Sequence, residues 1–269
     1  MELRTGCSGW SYDSWKGPFY SSGTENKAML AMYARVFNVV EIDSTFYGVP
    51  EDDVIESWKS NTTPDFLFCP KMPGALTHDG RLRVVGRTLE SFLRAANLFG
   101  EKLGPVLVQL PPSLAFDEGI DRLESLLSAF PRETTAAVEF RHHSWFRAET
   151  YELLNRNRSI MVWSEIPHTR VPPVTTSSEI YLRLVGDRSI DERDFGSVRR
   201  DMSTEIGRWA TELRRHDDVV ARAFVFSNNH FQGFAPATVN LFRRNAGLET
   251  LDWAVLMRST STERQKTLF

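Results

Sequence analysis

The chain has 269 residues, 25% of them charged and 41% hydrophobic, with 32 basic against 35 acidic side chains, a formal charge of −3 and a pI near 6.1. This excludes a disordered chain and offers no overall attraction to nucleic acid or anionic lipid, while the length suits one large α/β domain. No apolar run approaches a membrane span, residues 1–5 lack the basic-then-apolar pattern of a leader, and Cys7 and Cys69 are too few and too far apart for a disulfide framework or a zinc site. A reduced, cytoplasmic protein is the expectation.

Short apolar runs alternate with amphipathic stretches along the chain, the pattern of βα units. Residues 3–7 predict a first strand, and an aromatic loop with Trp10, Tyr12, Trp15, Phe19 and Tyr20 leads to a helix over 26–36. The strand carrying Glu41 follows, then a helix over 51–60 and a third strand over 66–71, where Pro70 suits a strand end better than a strand centre. Leu89, Phe92, Leu93, Ala96 and Phe99 recur at three- and four-residue steps and predict a helix over 86–102. Strand four spans 105–110 and is stopped by Pro111-Pro112; a helix over 121–130 carries Leu123, Leu126 and Leu127; strand five spans 135–140.

A helix marked by residues 151–154 precedes strand six at 159–163, but 167–178 is a Pro/Thr/Ser loop without helical periodicity, so this unit lacks its helix. Strand seven at 179–184, a helix with Ile206, Trp209, Ala210 and Leu213, strand eight at 223–226 and a helix over 236–245 complete the series. Eight strands separated by helices predict a single (β/α)₈ TIM barrel, an α/β fold with a closed parallel sheet, over residues 1–258, followed by a peripheral tail at 259–269.

In such a barrel the C-terminal strand ends form the mouth where chemistry is placed. Side chains alternate along a strand, so Glu41 and Asp43 share one face and Val40 and Ile42 the other. By the same parity Lys71 shares a face with Cys69 and Leu67, Gln109 with Leu107, Glu139 and Arg141 with Ala137, and Arg183 with Tyr181. The opposite faces are uniformly apolar, as a helix-covered layer requires. Polar groups therefore converge on the inward face, late in strand after strand. Ser8 adds a hydroxyl after strand one, and Asn228 and Asn229 add amides after strand eight.

Three acids (Glu41, Asp43, Glu139) and three bases (Lys71, Arg141, Arg183) form a balanced ring. One reading is a structural network in which each buried charge is paired, since unpaired burial is costly. The other is a pocket in which Glu41 and Glu139 act as acid and base, as in a glycosidase-like pair, with Asp43 as an orienter. Lys71, Arg141, Arg183, Gln109, Asn228 and Asn229 would then bind the substrate, and Arg141 and Arg183 would grip an anion with their forked donors. Trp10, Tyr47 and Trp145 could line the pocket or anchor its loops. The cofactor is unknown. A divalent metal held by Asp43, Glu41 and Glu139 with His78 or His142 is a weaker alternative, because no His spacing matches a metal motif. His142 and His143 read as solvated or capping residues, and Gly-rich phosphate loops and Gly-X-Ser-X-Gly are absent.

The motifs Gly6-Cys7-Ser8-Gly9-Trp10-Ser11-Tyr12, Val40-Glu41-Ile42-Asp43-Ser44-Thr45-Phe46-Tyr47, Pro70-Lys71 with Thr77-His78, Leu107-Val108-Gln109-Leu110-Pro111-Pro112, Val138-Glu139-Phe140-Arg141 with Ser144-Trp145, Tyr181-Leu182-Arg183 and Phe226-Ser227-Asn228-Asn229 run through nearly the whole chain. Together they resemble the YecE-like family, domain of unknown function 72. The resemblance implies a TIM barrel and no particular activity. The chain departs from the family pattern at Val185, in place of a histidine, at Ser227, in place of an aromatic, and at Trp163-Ser164-Glu165, which lacks an aspartate that Glu165 could replace.

Two functions compete. The first is an enzyme, of hydrolase, lyase or isomerase type, that uses carboxylate acid/base chemistry on a small polar or anionic substrate such as a sugar phosphate or phosphodiester. In it Glu139→Gln abolishes turnover and leaves the melting temperature nearly unchanged. The second is a non-catalytic module that binds an anionic metabolite or single-stranded nucleic acid, the latter disfavoured by net charge.

Overall fold

A computed structural model describes residues 1–83 and 87–258; Gly86 and the tail expected at 259–269 lie outside the described residues. The strands are β1 (Glu2–Ser8), β2 (Val39–Ile42), β3 (Leu67–Pro70), β4 (Val106–Gln109), β5 (Ala136–Glu139), β6 (Ile160–Ile166), β7 (Thr169–Arg170), β8 (Glu179–Leu184) and β9 (Arg222–Ser227). Their order is β3-β2-β1-β9-β8-β6-β5-β4, all parallel, with the short β7 antiparallel to β6. Two bridges, Phe68 with Leu103 and Lys71 with Leu107, join β3 to the β4 segment and bring the ends of the sheet together. The result is a nearly closed barrel of eight parallel strands.

Alternation along the strands sorts the core into layers. Val39, Leu67, Cys69, Leu107, Ala137, Ile160, Val162, Tyr181, Phe224 and Phe226 fill the barrel interior. The intervening residues, among them Val40, Phe68, Val108, Val138, Met161 and Leu182, pack outward under the helices. Each aliphatic or aromatic side chain so buried contributes roughly 1.5–3 kcal/mol relative to exposure. The inward layer predicted from period-two parity is the layer observed.

The surrounding helices are α1 (Asn26–Tyr33), α2 (Asp52–Ser60), α3 (Arg87–Asn97), α4 (Phe116–Ser128), α5 (Ala148–Arg156), α6 (Ser203–Arg214), α7 (Asn229–Gln232), α8 (Ala235–Asn245) and α9 (Trp253–Leu256). None is long and apolar enough to cross a membrane among the described residues. Helix α4 starts five residues before the start expected at 121, because a distant residue stabilises its first turn: the Phe116 amide donates to Ser144 Oγ at 2.9 Å.

No helix follows β6. The chain instead turns back as β7 and then runs extended along β6, tied there by side chains. Thr176 Oγ1 accepts from the Met161 amide at 2.8 Å and donates to Ser159 O at 2.7 Å, and the Trp163 indole donates to Val174 O at 2.9 Å. These bonds satisfy groups that a covering helix would leave to the sheet alone.

Candidate active site at the barrel mouth

Arg183, the penultimate residue of β8, stands at the centre of the mouth and is 2% exposed. Its Nε donates to Glu41 Oε2 at 2.8 Å and its Nη2 to Glu41 Oε1 at 2.6 Å, a two-pronged grip, while Nη1 donates to Glu139 Oε2 at 2.5 Å. Gln109 Oε1 lies 3.4 Å from the same Nη1. Glu41 is completed by Ser8 Oγ at 2.7 Å and the Tyr181 hydroxyl at 2.8 Å, and Glu139 by Arg141 Nε. Both glutamates are fully buried, and all four of their oxygens accept hydrogen bonds.

The electrostatics follow from this geometry. Burial alone would push the Glu139 carboxyl up, but the Arg141 and Arg183 guanidiniums prevail and hold it at about 2. Burial opposes the charge on Arg183, yet Glu139 and Glu41 raise its pKa well above the ordinary value. Burial and the neighbouring Glu41 carboxylate push the Tyr181 phenol well up, so it remains a donor.

Asp43 and Lys71 differ from this locked core. The strand ends at Ile42, and Asp43 already has helical backbone angles (φ −73°, ψ −24°) at the start of a tight turn over Ser44–Phe46. The shared face expected for Glu41 and Asp43 therefore does not extend to Asp43 by strand alternation; the turn brings it to the same mouth. Its Oδ1 lies 3.9 Å from both Lys71 Nζ and Arg183 Nη2, and this buried oxygen has no hydrogen-bond donor among the described residues. Burial and the Glu41 carboxylate raise the Asp43 pKa, against the pull of Lys71 and Arg183. Lys71 is shifted down, by burial and by the Arg183 cation, against the pull of Asp43. The two groups are pushed towards each other's range.

The other predicted residues divide between mouth and scaffold. Tyr47 is 84% exposed and meets the edge of Phe46. Trp10 is half-buried, edge-on to Trp58 of α2. Trp145 is fully buried and donates its indole N–H to Leu114 O at 2.8 Å, so it anchors a loop and presents nothing to the mouth. Asn229 Oδ1 accepts from the Trp15 indole at 3.1 Å and the Ala235 amide at 3.0 Å, and Asn228 Oδ1 caps α7 through the His230 amide at 3.0 Å, so scaffold groups hold both side-chain oxygens, while the buried Asn229 Nδ2 has no hydrogen-bond partner among the described residues. His142 caps a turn through the Ser144 amide.

Glu165 does not replace the missing aspartate. It lies on the outward side of β6, opposite in parity to Ser164, where it binds Arg208 and accepts from the Trp209 indole at 2.5 Å. Two contributors escaped residue-type reasoning: Phe46, whose ring carries Lys71 Nζ 4.3 Å above its centroid, and Thr45, whose hydroxyl contacts the Lys71 amide and carbonyl. Tyr181 was legible from its alternation with Arg183. Phe46 was not, because it follows the strand and only the turn aims it. Among the described residues no group of three or more His, Cys, Asp or Glu side chains is arranged to hold a metal ion. The oxygens of Glu41 and Glu139, the donors such a site would need, are occupied by Arg183, Arg141, Ser8 and Tyr181.

The family model for "Protein of unknown function DUF72" matches residues 4–265. The chain belongs to the DUF72 family. The UPF0759 protein YecE of Escherichia coli strain K12 is 32% identical over 148 residues, 55% of this chain and 52% of that protein. UPF0759 protein YunF of Bacillus subtilis strain 168 is 29% identical over 156 residues, 55% and 53% of the two chains. The chain thus aligns with about half the length of these curated relatives. Among solved structures, a DUF72 family protein of Thermotoga maritima superposes with a TM-score of 0.78 at 29% identity, covering 91% of this chain and 98% of that one. One from Enterococcus faecalis gives 0.74 at 20% identity, covering 92% and 96%. The DUF72 fold is the barrel described above, as the motif resemblance implied.

Proposed function

We propose that the mouth is an active site for proton-transfer chemistry on a small anionic molecule, a sugar phosphate or phosphodiester being the fitting class. The observation that carries this is Asp43 Oδ1, a buried acceptor without a donor, in a mouth where every other buried carboxylate oxygen is bound. A structural network gains nothing from such an atom, whose desolvation costs about 1–3 kcal/mol; a proton-carrying group needs it. Asp43, whose side chain is 32% exposed, takes the acid/base role first considered for Glu41 and Glu139. Those two glutamates hold Arg183 in place. Arg141, its side chain 20% exposed, and Lys71 supply positive charge for the anion. Cys7 and Cys69, both buried and unpaired, are compatible with a reducing, cytoplasmic setting.

The test is a turnover screen of sugar phosphates and phosphodiesters by ³¹P NMR, with wild type beside Asp43→Asn. Wild type is expected to convert at least one compound and the variant to lose roughly 10²–10⁴-fold in rate while keeping its melting temperature. Equal rates in the two proteins would remove Asp43 from the chemistry. Binding that weakens in Arg141→Ala, with no turnover of any compound by wild type, would identify a binding module instead.

A further inference from the structure

Lys71 is unlike the other described lysines of this chain. Lys16, Lys27, Lys59 and Lys102 each place Nζ within 2.9 Å of an oxygen: Asn26 Oδ1 at 2.9 Å, Glu25 Oε2 at 2.9 Å, Glu56 Oε1 at 2.8 Å and Lys59 O at 2.7 Å respectively. Lys71 Nζ has no hydrogen-bond acceptor among the described residues, and Asp43 Oδ1 pairs with it only at 3.9 Å. The residue is 8% exposed, with its amine 4.3 Å over the Phe46 ring. A lysine that serves only as a cation gains by full solvation or by close pairing; this one is largely buried, and its one carboxylate partner lies at 3.9 Å.

Its backbone, by contrast, is firmly held. The Lys71 amide donates to Thr45 Oγ1 at 3.0 Å and lies 3.2 Å from Ile42 O, and Lys71 O accepts from Thr45 Oγ1 at 2.7 Å. From this fixed backbone the side chain carries Nζ into the mouth, beside Asp43 and Phe46. Burial beside the Arg183 guanidinium, which lies 3.9 Å from the same Asp43 oxygen, combines desolvation with a neighbouring cation, the two influences that favour the neutral amine of a lysine. Burial and Arg183 lower the pKa of Lys71, while Asp43, Glu41 and Glu139 oppose the shift.

We propose that Lys71 is a nucleophile that condenses with the carbonyl group of an anionic aldehyde or ketone, Asp43 carrying the protons and Arg141 receiving the anionic end. This rests on reading the mouth as an active site, narrows its substrate class, and moves Lys71 from binding the anion to forming the bond, which leaves the anion to Arg141. The neutral amine adds to the carbonyl carbon, forming a C–N bond as the carbonyl π pair moves to oxygen, and the ammonium proton passes through Asp43 to that oxygen. The Asp43 carboxyl then protonates the resulting hydroxyl, which leaves as water while the nitrogen lone pair forms C=N. Carbonyl and amine thus become an iminium and one water, with the extra proton coming from solvent and no change in oxidation state. The iminium draws electrons from the adjacent carbon, which makes loss of a proton or cleavage of a C–C bond there easy.

The full chain is incubated with glyoxylate and sodium cyanoborohydride at neutral pH, and the reduced carboxymethyl adducts are located by peptide mass mapping. Binding of inorganic phosphate is measured in parallel by calorimetry. The expected result is an adduct concentrated on Lys71, lost in Lys71→Arg and formed roughly a hundredfold more slowly in Asp43→Asn. Labelling spread evenly over Lys27 and the other surface lysines, with phosphate still bound, would overturn the nucleophile and leave the anion site standing. Even labelling together with no phosphate binding, or with phosphate binding that Arg141→Ala leaves unchanged, would overturn both readings.

Discussion

At the scale of single residues, Glu139 shows how a charged ring can be part scaffold and part chemistry. Its carboxylate is fully buried and held by Arg141 and Arg183, so Glu139→Gln exchanges a charge-assisted bond pair for weaker ones beside two guanidiniums. The sequence alone predicts lost turnover with little change in melting temperature; the observed network shifts the expectation towards lost stability, about 1–3 kcal/mol in urea unfolding. An unchanged midpoint would refute this. The pH dependence has a definite sign. With the folded pKa near 2 against an ordinary value of 4.5, the Glu139 contribution is fully present above about pH 4.5 and is lost as pH falls towards 2. Wild type should therefore lose stability more steeply than Glu139→Gln over that window. Asp43, shifted the opposite way, contributes stability that is greatest at low pH and fades as pH rises through its raised pKa, so it softens the decline without reversing it.

At the scale of elements, the segment after β6 does a helix's work with side-chain bonds. Thr176 makes two of them, to Met161 N and Ser159 O, and Thr176→Val keeps the shape while leaving a buried amide and carbonyl without their partner. The expected cost is about 1–3 kcal/mol, with faster amide exchange at Met161 by hydrogen–deuterium exchange; unchanged protection there would show that the hydroxyl is dispensable. The absence of helical periodicity over 167–178 was legible, because Pro172, Pro173 and the Thr/Ser run break any apolar stripe. The hairpin pairing of β7 was not, since two residues carry too little pattern. The early start of α4 was likewise hidden. Its capping hydroxyl comes from Ser144, far along the chain, and Gly119 lies where an added Cβ would sit 2.6 Å from the Trp145 ring. Both depend on the loop after β5 folding over the helix.

For the whole molecule, the seam between β3 and β4 is the thinnest join of the barrel, with two isolated bridges where the other neighbours form ladders. Gly104 makes the close approach there, its amide donating to Phe68 O at 2.8 Å, and a Cβ at that position would meet Cys69 Sγ at 2.6 Å. Gly104→Ala should therefore cost about 1–3 kcal/mol by overpacking, read as a lower thermal midpoint, and Cys69→Ala in the same chain should recover part of the loss. No change in midpoint would show a seam with room to spare. The barrel and its inward layer were determined by the sequence itself, because period-two alternation leaves a strand buried on both sides only one way to face. Only the tertiary structure decided which charges in the mouth are spent and which are free. Closure brings Arg183 of β8 between Glu41 of β2 and Glu139 of β5, and the turn after β2 sets Asp43 beside Lys71, beyond hydrogen-bonding distance. Those pairings join residues 44 to 142 positions apart in Arg183's case and 28 apart in the other, and no local pattern encodes which oxygen each guanidinium reaches.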